Sequence, residues 1–478
     1  MIEIAVKYLE KVTGARPWTG DAERVCRGCV IDSRKVGPDS IFVAFPGERV
    51  DGNDYARAAI DAGAAAVVLT REPSRDLLRA ADERGCAVFT CEDPTEFLLL
   101  LAQGYRARMR CTVVGVTGSI GKTTTKDVLA ALLSTGYRVH VTRGNYNNLI
   151  GMPLTILDAP RDTEVLVLEM GMDGFGQIER LSRCAQPTYA VITKIGTSHI
   201  GLLGSRENIA RAKAEIVSGM PPSSENFEGH HAALVLNGED DYTPFIIENF
   251  ARPAGIDVVL CGTSEDDDVS ARGIELGEDG CPSFDLTFED GAQIRTRLSV
   301  TGAQSVVNAL FAIAVARRLG ISQHAVEEVL GSIEITGRRT EVRRSACGAR
   351  IIDDSYNAAP ESMAAALDLL RSLPADGDRI AVLGEMGELG DEGARLHELT
   401  GAYAAASHPD LLVCVGGENA RRMAQAARLM GMAEDAVRVL PDTEAVISRL
   451  AGSLGAADLV LVKGSRFVGL DRFVEEVC

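Results

Sequence analysis

The chain has 478 residues, 46% hydrophobic and 24% charged, the mixture of a folded globular protein, with length for about three domains at roughly 150 residues each. Its 49 Lys and Arg against 68 Asp and Glu leave a formal net charge of −19, which excludes a whole-surface positive field for nucleic acid or anionic membrane and leaves any phosphate to a local device. Aromatic residues amount to 5%, too few for broad base-stacking platforms, and no run approaches the roughly 18–20 apolar residues of a membrane span.

Residues 1–93 predict a small α/β unit: a strand at 41–45, a turn at Pro46-Gly47, a helix at 56–62 and a buried strand at 65–69. Acidic residues enter early and no long apolar core follows, so the N-terminus does not read as a signal peptide. The pattern breaks at Asp93-Pro94, and a helix-like stretch at 96–108 opens the largest block, 94–335. There a β-branched strand at 112–116 leads through a Gly-rich turn to a helix at 126–133. Buried strands follow at 165–169 and 189–195, with a helix-like stretch at 206–217. Strands alternating with helices predict a mainly parallel sheet. Residues 221–231, with His230-His231, read as a polar loop. Residues 264–300 read as antiparallel strands, with 265–268 as a solvated acidic run, and 304–319 as a strong helix. From 336 to 478 the alternation resumes, with strands at 349–353, 379–383, 411–415 and 459–462 and helices at 362–370, 394–406, 419–430 and 443–450. This is a doubly wound, Rossmann-like domain. No internal repeat is visible.

Eleven cysteines, an odd count without a secretion signal, read as free thiols in a reducing cytoplasm. The one CxxC, Cys26 to Cys29, lacks the second pair of a zinc site, and the seven histidines show no metal-ligand spacing.

The sharpest local signal is VVGVTGSIGKTTT at 113–125, a strand, a Gly-rich turn and a helix start. Such a turn lets backbone N–H groups converge on phosphate oxygens. Thr117, Gly118, Ser119, Ile120, Gly121, Lys122, Thr123 and Thr124 form the expected cradle, with Lys122 on the β/γ-phosphates and the Thr123 hydroxyl on Mg²⁺. The first glycine of GxxxxGK[ST] falls on Val116, so the strict pattern fails by one position. Kinases, GTPases, motors and ligases all use such loops, so the motif alone does not name a reaction.

Glu169 ends an apolar strand at the mouth of the expected sheet, where it could offer oxygen to Mg²⁺. Alone, a glutamate at the end of a strand is more often a solvated or capping carboxylate. His199 follows the next strand through Gly196-Thr197-Ser198, and Lys213 lies on the following helix-like stretch. Singly these read as a structural histidine and a solvated lysine.

Taken together the motifs say more. TGSIGKTT from Thr117, NYNNLIGMPL from Asn145, LEMG from Leu168, HIGLLGSREN from His199 and AKAEI from Ala212 resemble the ATP-dependent Mur ligases. Gly337-Arg338, DDSYNAAPESM from Asp353, VLGEMGELG from Val382 and LVKGSR from Leu461 agree. DSRKVGP from Asp32 and FVAFPGERVDGND from Phe42 are similar to that family's UDP-substrate domain. The resemblance spans nearly the whole chain, in order. It implies three domains: a small N-terminal α/β substrate domain (1–93), a central P-loop parallel-sheet ATPase domain (94–335) and a C-terminal Rossmann-like doubly wound domain (336–478).

It also implies a reaction: ATP activates the carboxyl end of a UDP-MurNAc-tripeptide as an acyl phosphate, and the amine of D-alanyl-D-alanine displaces phosphate, in peptidoglycan precursor synthesis. By resemblance, ATP and Mg²⁺ are the cofactors, and Thr123, Glu169 and His199 hold metal. Lys213 matches a lysine carbamylated to a carboxylate-like group, Asn308 an adenine contact, and Arg338 a phosphate contact from the last domain. Asp354, Tyr356 and Asn357 match a loop beside ribose and base, and Ser33 and Arg34 lie near the UDP portion. Lys122, His199 and Lys213 are the expected catalytic set. The implied enzyme is a cytoplasmic monomer that binds no nucleic acid and does not insert into membrane.

Departures from the family pattern are Lys194 for Asn, Gln304-Ser305 for His-Asn, Ala359 for the second Asn of YNANP, and Phe467-Val468 for Ser-Met. None removes a proposed metal ligand or the phosphate lysine. Two competing readings are another amino-acid ligase of the same family and a P-loop regulator that hydrolyses ATP. The diaminopimelate-adding branch carries a DNPR string absent here, and folylpolyglutamate synthases lack the DSYNAxPxS segment.

Overall fold

The computed structural model describes residues 1–478 apart from Glu48, Glu228, Thr336, Arg338 and Arg339, and apart from the side chains of Asn226 and Phe227. Three α/β units follow one another along the chain, each around its own sheet.

In the first unit Cys29–Val30, Ile41–Val43, Ala66–Leu69 and Ala87–Thr90 run parallel, and Arg16–Thr19 joins antiparallel at the edge. Pro17 has no N–H for a ladder and suits only such an edge. The expected strand at 41–45 ends at Val43, ahead of the Pro46-Gly47 turn.

The middle unit is built on nine strands. In spatial order they are Gln293–Arg297, Pro282–Thr287, Val269–Leu276, Asp257–Gly262, Ala233–Asn237, Tyr189–Ile192, Thr112–Thr117, Val165–Glu169 and Val139–Val141. Pairing is parallel from Val139–Val141 as far as Val269–Leu276 and antiparallel beyond, so the antiparallel segment read at 264–300 extends the parallel sheet. Central strands such as Val165–Glu169 are buried throughout, as a sheet covered on both faces requires. One face packs Val128, Leu132, Phe311 and Val315 of helices Lys122–Leu133 and Gln304–Arg318; the other packs Leu98, Ile156 and Ile178 of Pro94–Arg106, Gly151–Asp158 and Gln177–Ala185.

The third unit orders Glu341–Arg344, Arg350–Asp354, Leu459–Lys463, Arg379–Gly384, Leu411–Val415 and Val437–Leu440, parallel except for the first pair, with apolar cores on both faces.

Three expectations are corrected. The polar loop at 221–231 contains a short antiparallel pair, Asn226–Phe227 with His230–His231, where His231 Nδ1 lies 2.8 Å from Ser223 O and the His230 ring meets Tyr189 edge-on. The strand read to 195 stops at Ile192, freeing Thr193, Lys194, Ser198 and His199 to line a cleft. The helix read over 206–217 is α-helical only for Arg206–Ala214 and tightens into a 3₁₀ turn, Glu215–Gly219. All eleven cysteines are free thiols. Among the described residues no helix is long and apolar enough to cross a membrane.

Candidate functional site

The carboxyl ends of the central strands in the middle unit face the corresponding strand ends of the third unit, and a cavity of about 580 Å³ lies between them. Open parallel sheets bind ligands at such ends.

Thr112–Thr117 is buried along its whole length, so the β-branched run fixes where the turn starts. Val116 sits fully buried inside the ladder opposite Glu169 and Val191. The position where the strict motif wants glycine is therefore still strand, and the tight turn begins at Gly118. Gly118 and Gly121 have φ of 147° and 87°. A Cβ on the first would run into the Thr193 hydroxyl, and on the second into the Asn308 carboxamide. Thr193 Oγ1 donates to Ile120 O, and Ser119 N donates to Lys194 O at 2.8 Å, so the turn is pinned from the neighbouring strand end. Lys122 Nζ donates to Gly118 O at 2.7 Å, which holds the ammonium over the turn.

Thr123 and Glu169 meet beneath the turn. Thr123 Oγ1 donates to one carboxylate oxygen of Glu169 at 2.8 Å, and Asn147 Nδ2 donates to the other at 2.8 Å. Glu169 N donates to Thr142 Oγ1, and the buried Lys126 Nζ donates to Thr142 O at 3.1 Å. Glu169 is only 2% exposed, so its carboxylate is oriented by Thr123 and Asn147 rather than by solvent. This converging pair of hard oxygen donors suits a small divalent cation such as Mg²⁺.

His199 and Lys213 line the same cavity, near enough to Lys122 to feel its charge. His199 adopts a left-handed backbone, φ 66°, and its Nδ1 lies 2.6 Å from Glu388 Oε2 of the third unit. Burial holds the imidazole pKa below its ordinary value; Glu388 opposes this, and Lys213 and Lys122 add to it. Lys213 is 2% exposed, and burial, reinforced by Lys122, pushes its pKa well below that of a free lysine. A buried lysine of this kind favours the neutral amine.

From the third unit, Asp354 pairs with the buried Lys463, which also donates to Asn357 O at 3.1 Å. The Asp354–Asn357 loop is thereby fixed against the cavity, which Tyr356 also lines. Glu361, at the start of helix Pro360–Ser372, accepts from Thr197 N and Oγ1 across the cleft. An adjoining cavity of about 540 Å³ shares Lys122, His199, Tyr356 and Glu388 and adds Arg466 and Phe467.

The structure thus gathers Ser119, Ile120, Gly121, Lys122, Thr124, Glu169, His199, Lys213, Asn308, Asp354, Tyr356 and Asn357 around one cavity. Thr117 and Thr123 are buried under it, the Thr117 hydroxyl without a hydrogen-bond partner. Ser33 and Arg34 are elsewhere, in a 3₁₀ turn of the first unit. There Arg34 ion-pairs with Asp32 at 2.8 Å and holds that carboxyl down to about 2. Arg338 lies outside the described residues. Asn147, Glu361, Glu388 and Lys463 were not singled out from sequence, although each sits inside a quoted motif. A larger groove of about 630 Å³, lined by Glu3, Lys7, Tyr8, Arg108 and Arg161, holds none of the motif residues.

Comparison with known proteins agrees with this layout. Residues 26–106 match the Mur ligase family catalytic domain, 116–316 the Mur ligase middle domain and 338–466 the Mur ligase glutamate ligase domain. The chain is 35% identical to the UDP-N-acetylmuramoyl-tripeptide–D-alanyl-D-alanine ligase of Bacillus subtilis (strain 168), over 100% of this chain and 99% of that protein. Its fold is similar to a crystal structure of MurF from Acinetobacter baumannii, with a TM-score of 0.86 and 27% identity, covering 100% of this chain and 99% of that one. It is also similar to MurF ligase from Thermotoga maritima in complex with ADP, with a TM-score of 0.79 and 28% identity over 94% and 96% of the two chains.

Proposed function

The chain belongs to the Mur ligase family, and from that premise we propose that it joins D-alanyl-D-alanine to UDP-MurNAc-tripeptide at the expense of ATP, giving UDP-MurNAc-pentapeptide for peptidoglycan. The observation that carries this reading is the single cavity where the phosphate turn, the Thr123–Glu169 pair, His199 and Lys213 meet the Asp354–Asn357 loop of another unit.

The chemistry suits these residues. A carboxylate is a poor electrophile, and phosphorylation supplies a leaving group. Bringing the γ-phosphate to a substrate carboxylate sets anion against anion, and Lys122 with the N–H groups of the turn offsets that repulsion. Thr123 and Glu169 would hold one Mg²⁺, and His199 would help hold a second; the metal supplies Lewis-acid stabilisation of phosphoryl charge. By family resemblance Asn308 meets adenine, and Asp354, Tyr356 and Asn357 border ribose and base. The dipeptide amine attacks the acyl carbon, and phosphate leaves.

Lys213 works as a carbamate. A plain ammonium there would stand beside Lys122 and a cation site, like charge against like, whereas its depressed pKa favours the neutral amine that takes up carbon dioxide. Residues 1–93 bind the UDP-substrate, with Ser33 and Arg34 toward its UDP portion; residues 94–335 bind ATP; residues 336–478 close the site. One chain supplies every residue named here, in keeping with a monomer. Free cysteines throughout fit a reducing cytoplasm.

The test is phosphate release and pentapeptide formation with both substrates and with each omitted. Turnover that needs both supports ligation. ATP hydrolysis indifferent to both supports the regulator reading instead.

A further inference from the structure

We propose that Glu361 is a positioning residue that makes assembly of the His199 side of the site depend on closure of the third unit over the middle one. The proposal rests on the ligase reading above. Glu361 stands in the first turn of helix Pro360–Ser372, and its two carboxylate oxygens accept from Thr197 N at 2.8 Å and Thr197 Oγ1 at 3.1 Å. The contact joins residues 164 positions apart and takes both donors of a single residue, which fixes its orientation. Gly196 makes the approach possible: a Cβ there would lie 2.9 Å from the Glu361 carboxyl carbon.

The same loop is held from its other side by the middle unit. Gly196 N donates to Ser119 Oγ at 3.0 Å, and Ile195 N donates to Asp240 Oδ2 at 2.8 Å. The segment from 195 to 197 is therefore clamped between the phosphate turn and Glu361. Two residues on, His199 carries its left-handed backbone. A non-glycine residue keeps that conformation where its surroundings hold it there. A second clasp lies just beyond, where Gly201 N donates to Glu388 O at 3.0 Å and Gly201 and Gly390 approach too closely for a Cβ on either. Parting the units breaks the Glu361 and Glu388 contacts together. The Thr197 donors then turn to water, and the backbone that aims His199 loses its support. ATP bound in an open molecule would meet an incomplete site, which limits hydrolysis before the acceptor is enclosed.

An acidic residue in a first helical turn also stabilises its own helix by charge. Glu361→Asp separates the two roles. It keeps the charge at the helix start but is one methylene too short to span both Thr197 donors. The readouts are kcat, the Kd for ADP and the melting temperature, for the parent, Glu361→Asp, Thr197→Val and the double variant. The expected result is kcat lower on the order of 10- to 10²-fold for Glu361→Asp, with ADP affinity and melting temperature unchanged, and a double variant no slower than Glu361→Asp alone. Parent-like kcat in Glu361→Asp, losses that multiply in the double variant, or a fall in melting temperature matching the fall in kcat would each overturn the proposal. A parent that forms no pentapeptide in the same assay contradicts the ligase reading itself. A ligating parent beside an equally fast Glu361→Asp contradicts only the positioning role.

Discussion

Replacing Lys122 with alanine removes the ammonium that sits over the phosphate turn. Two unit charges about 4 Å apart at an effective dielectric near 20 interact by roughly 4 kcal/mol. At about 1.4 kcal/mol per decade this corresponds to a loss on the order of 10³-fold in rate, the upper end of what removing one such stabiliser costs. The fold loses less. Lys122 Nζ donates to backbone oxygens of the turn, Gly118 O at 2.7 Å and Ser119 O at 3.4 Å. Ser119 lines a cavity that water can enter, so the stability cost is about 1 kcal/mol. The substitution also takes a positive charge away from Lys213 and His199, whose pKa values Lys122 depresses. Pentapeptide formation at saturating ATP measures the effect, and a thermal melt checks the fold. Turnover near that of the parent, with the fold intact, would refute the assignment of Lys122 to the transferring phosphate.

Lys213→Ala is expected to be nearly inactive and to recover in part with a small added carboxylic acid; full activity, or no ¹³C carbamate signal from the parent under labelled carbon dioxide, contradicts the carbamate. Gly121→Ala forces a Cβ into the Asn308 carboxamide at a φ of 87°, a strain of about 1–3 kcal/mol, so ADP should bind roughly 5- to 150-fold more weakly by calorimetry. His397 is a buried neutral imidazole whose Nε2 accepts Met386 N at 2.8 Å and whose Nδ1 lies 2.6 Å from Gly393 O; burial lowers its pKa. The unfolded chain then binds the proton more readily, so the His397 contribution is complete above about pH 6.5 and is lost as pH falls below it. The melting temperature of the parent should therefore fall more steeply than that of His397→Gln between pH 7 and pH 5, and parallel curves would contradict the reading.

Much of the site was legible because its signals are contiguous. The phosphate turn needs glycines, a lysine and a threonine in one short run between a strand and a helix, and all of them fall in place. Val165–Glu169, Leu411–Val415 and Thr443–Leu450 agree with their sequence reading to the residue, since turn or capping residues bound each apolar run. Glu3–Ala5 and Val25–Arg27 escaped because strands of three residues show no period, and they exist by pairing with each other. Ala233–Asn237 and Asp257–Gly262 pair with each other in the parallel sheet, yet each is a lone short apolar run, which periodicity does not distinguish from a buried helix segment. Contacts between units are invisible because their partners are distant in sequence. Neither Glu361 nor Glu388 has a local pattern that points to Thr197 or His199, and only the folded chain brings these pairs together. Ser33 and Arg34 show the reverse limit: their motif specifies an Asp32-capped turn but not what that turn faces.

The mechanism proposed for this chain activates the tripeptide carboxylate as an acyl phosphate before the dipeptide attacks. It is tested most directly by following ¹⁸O from a labelled UDP-MurNAc-tripeptide carboxylate during turnover with ATP and D-alanyl-D-alanine. Each pentapeptide formed should release one inorganic phosphate carrying a single ¹⁸O from that carboxylate. Phosphate free of ¹⁸O alongside normal pentapeptide formation would contradict it.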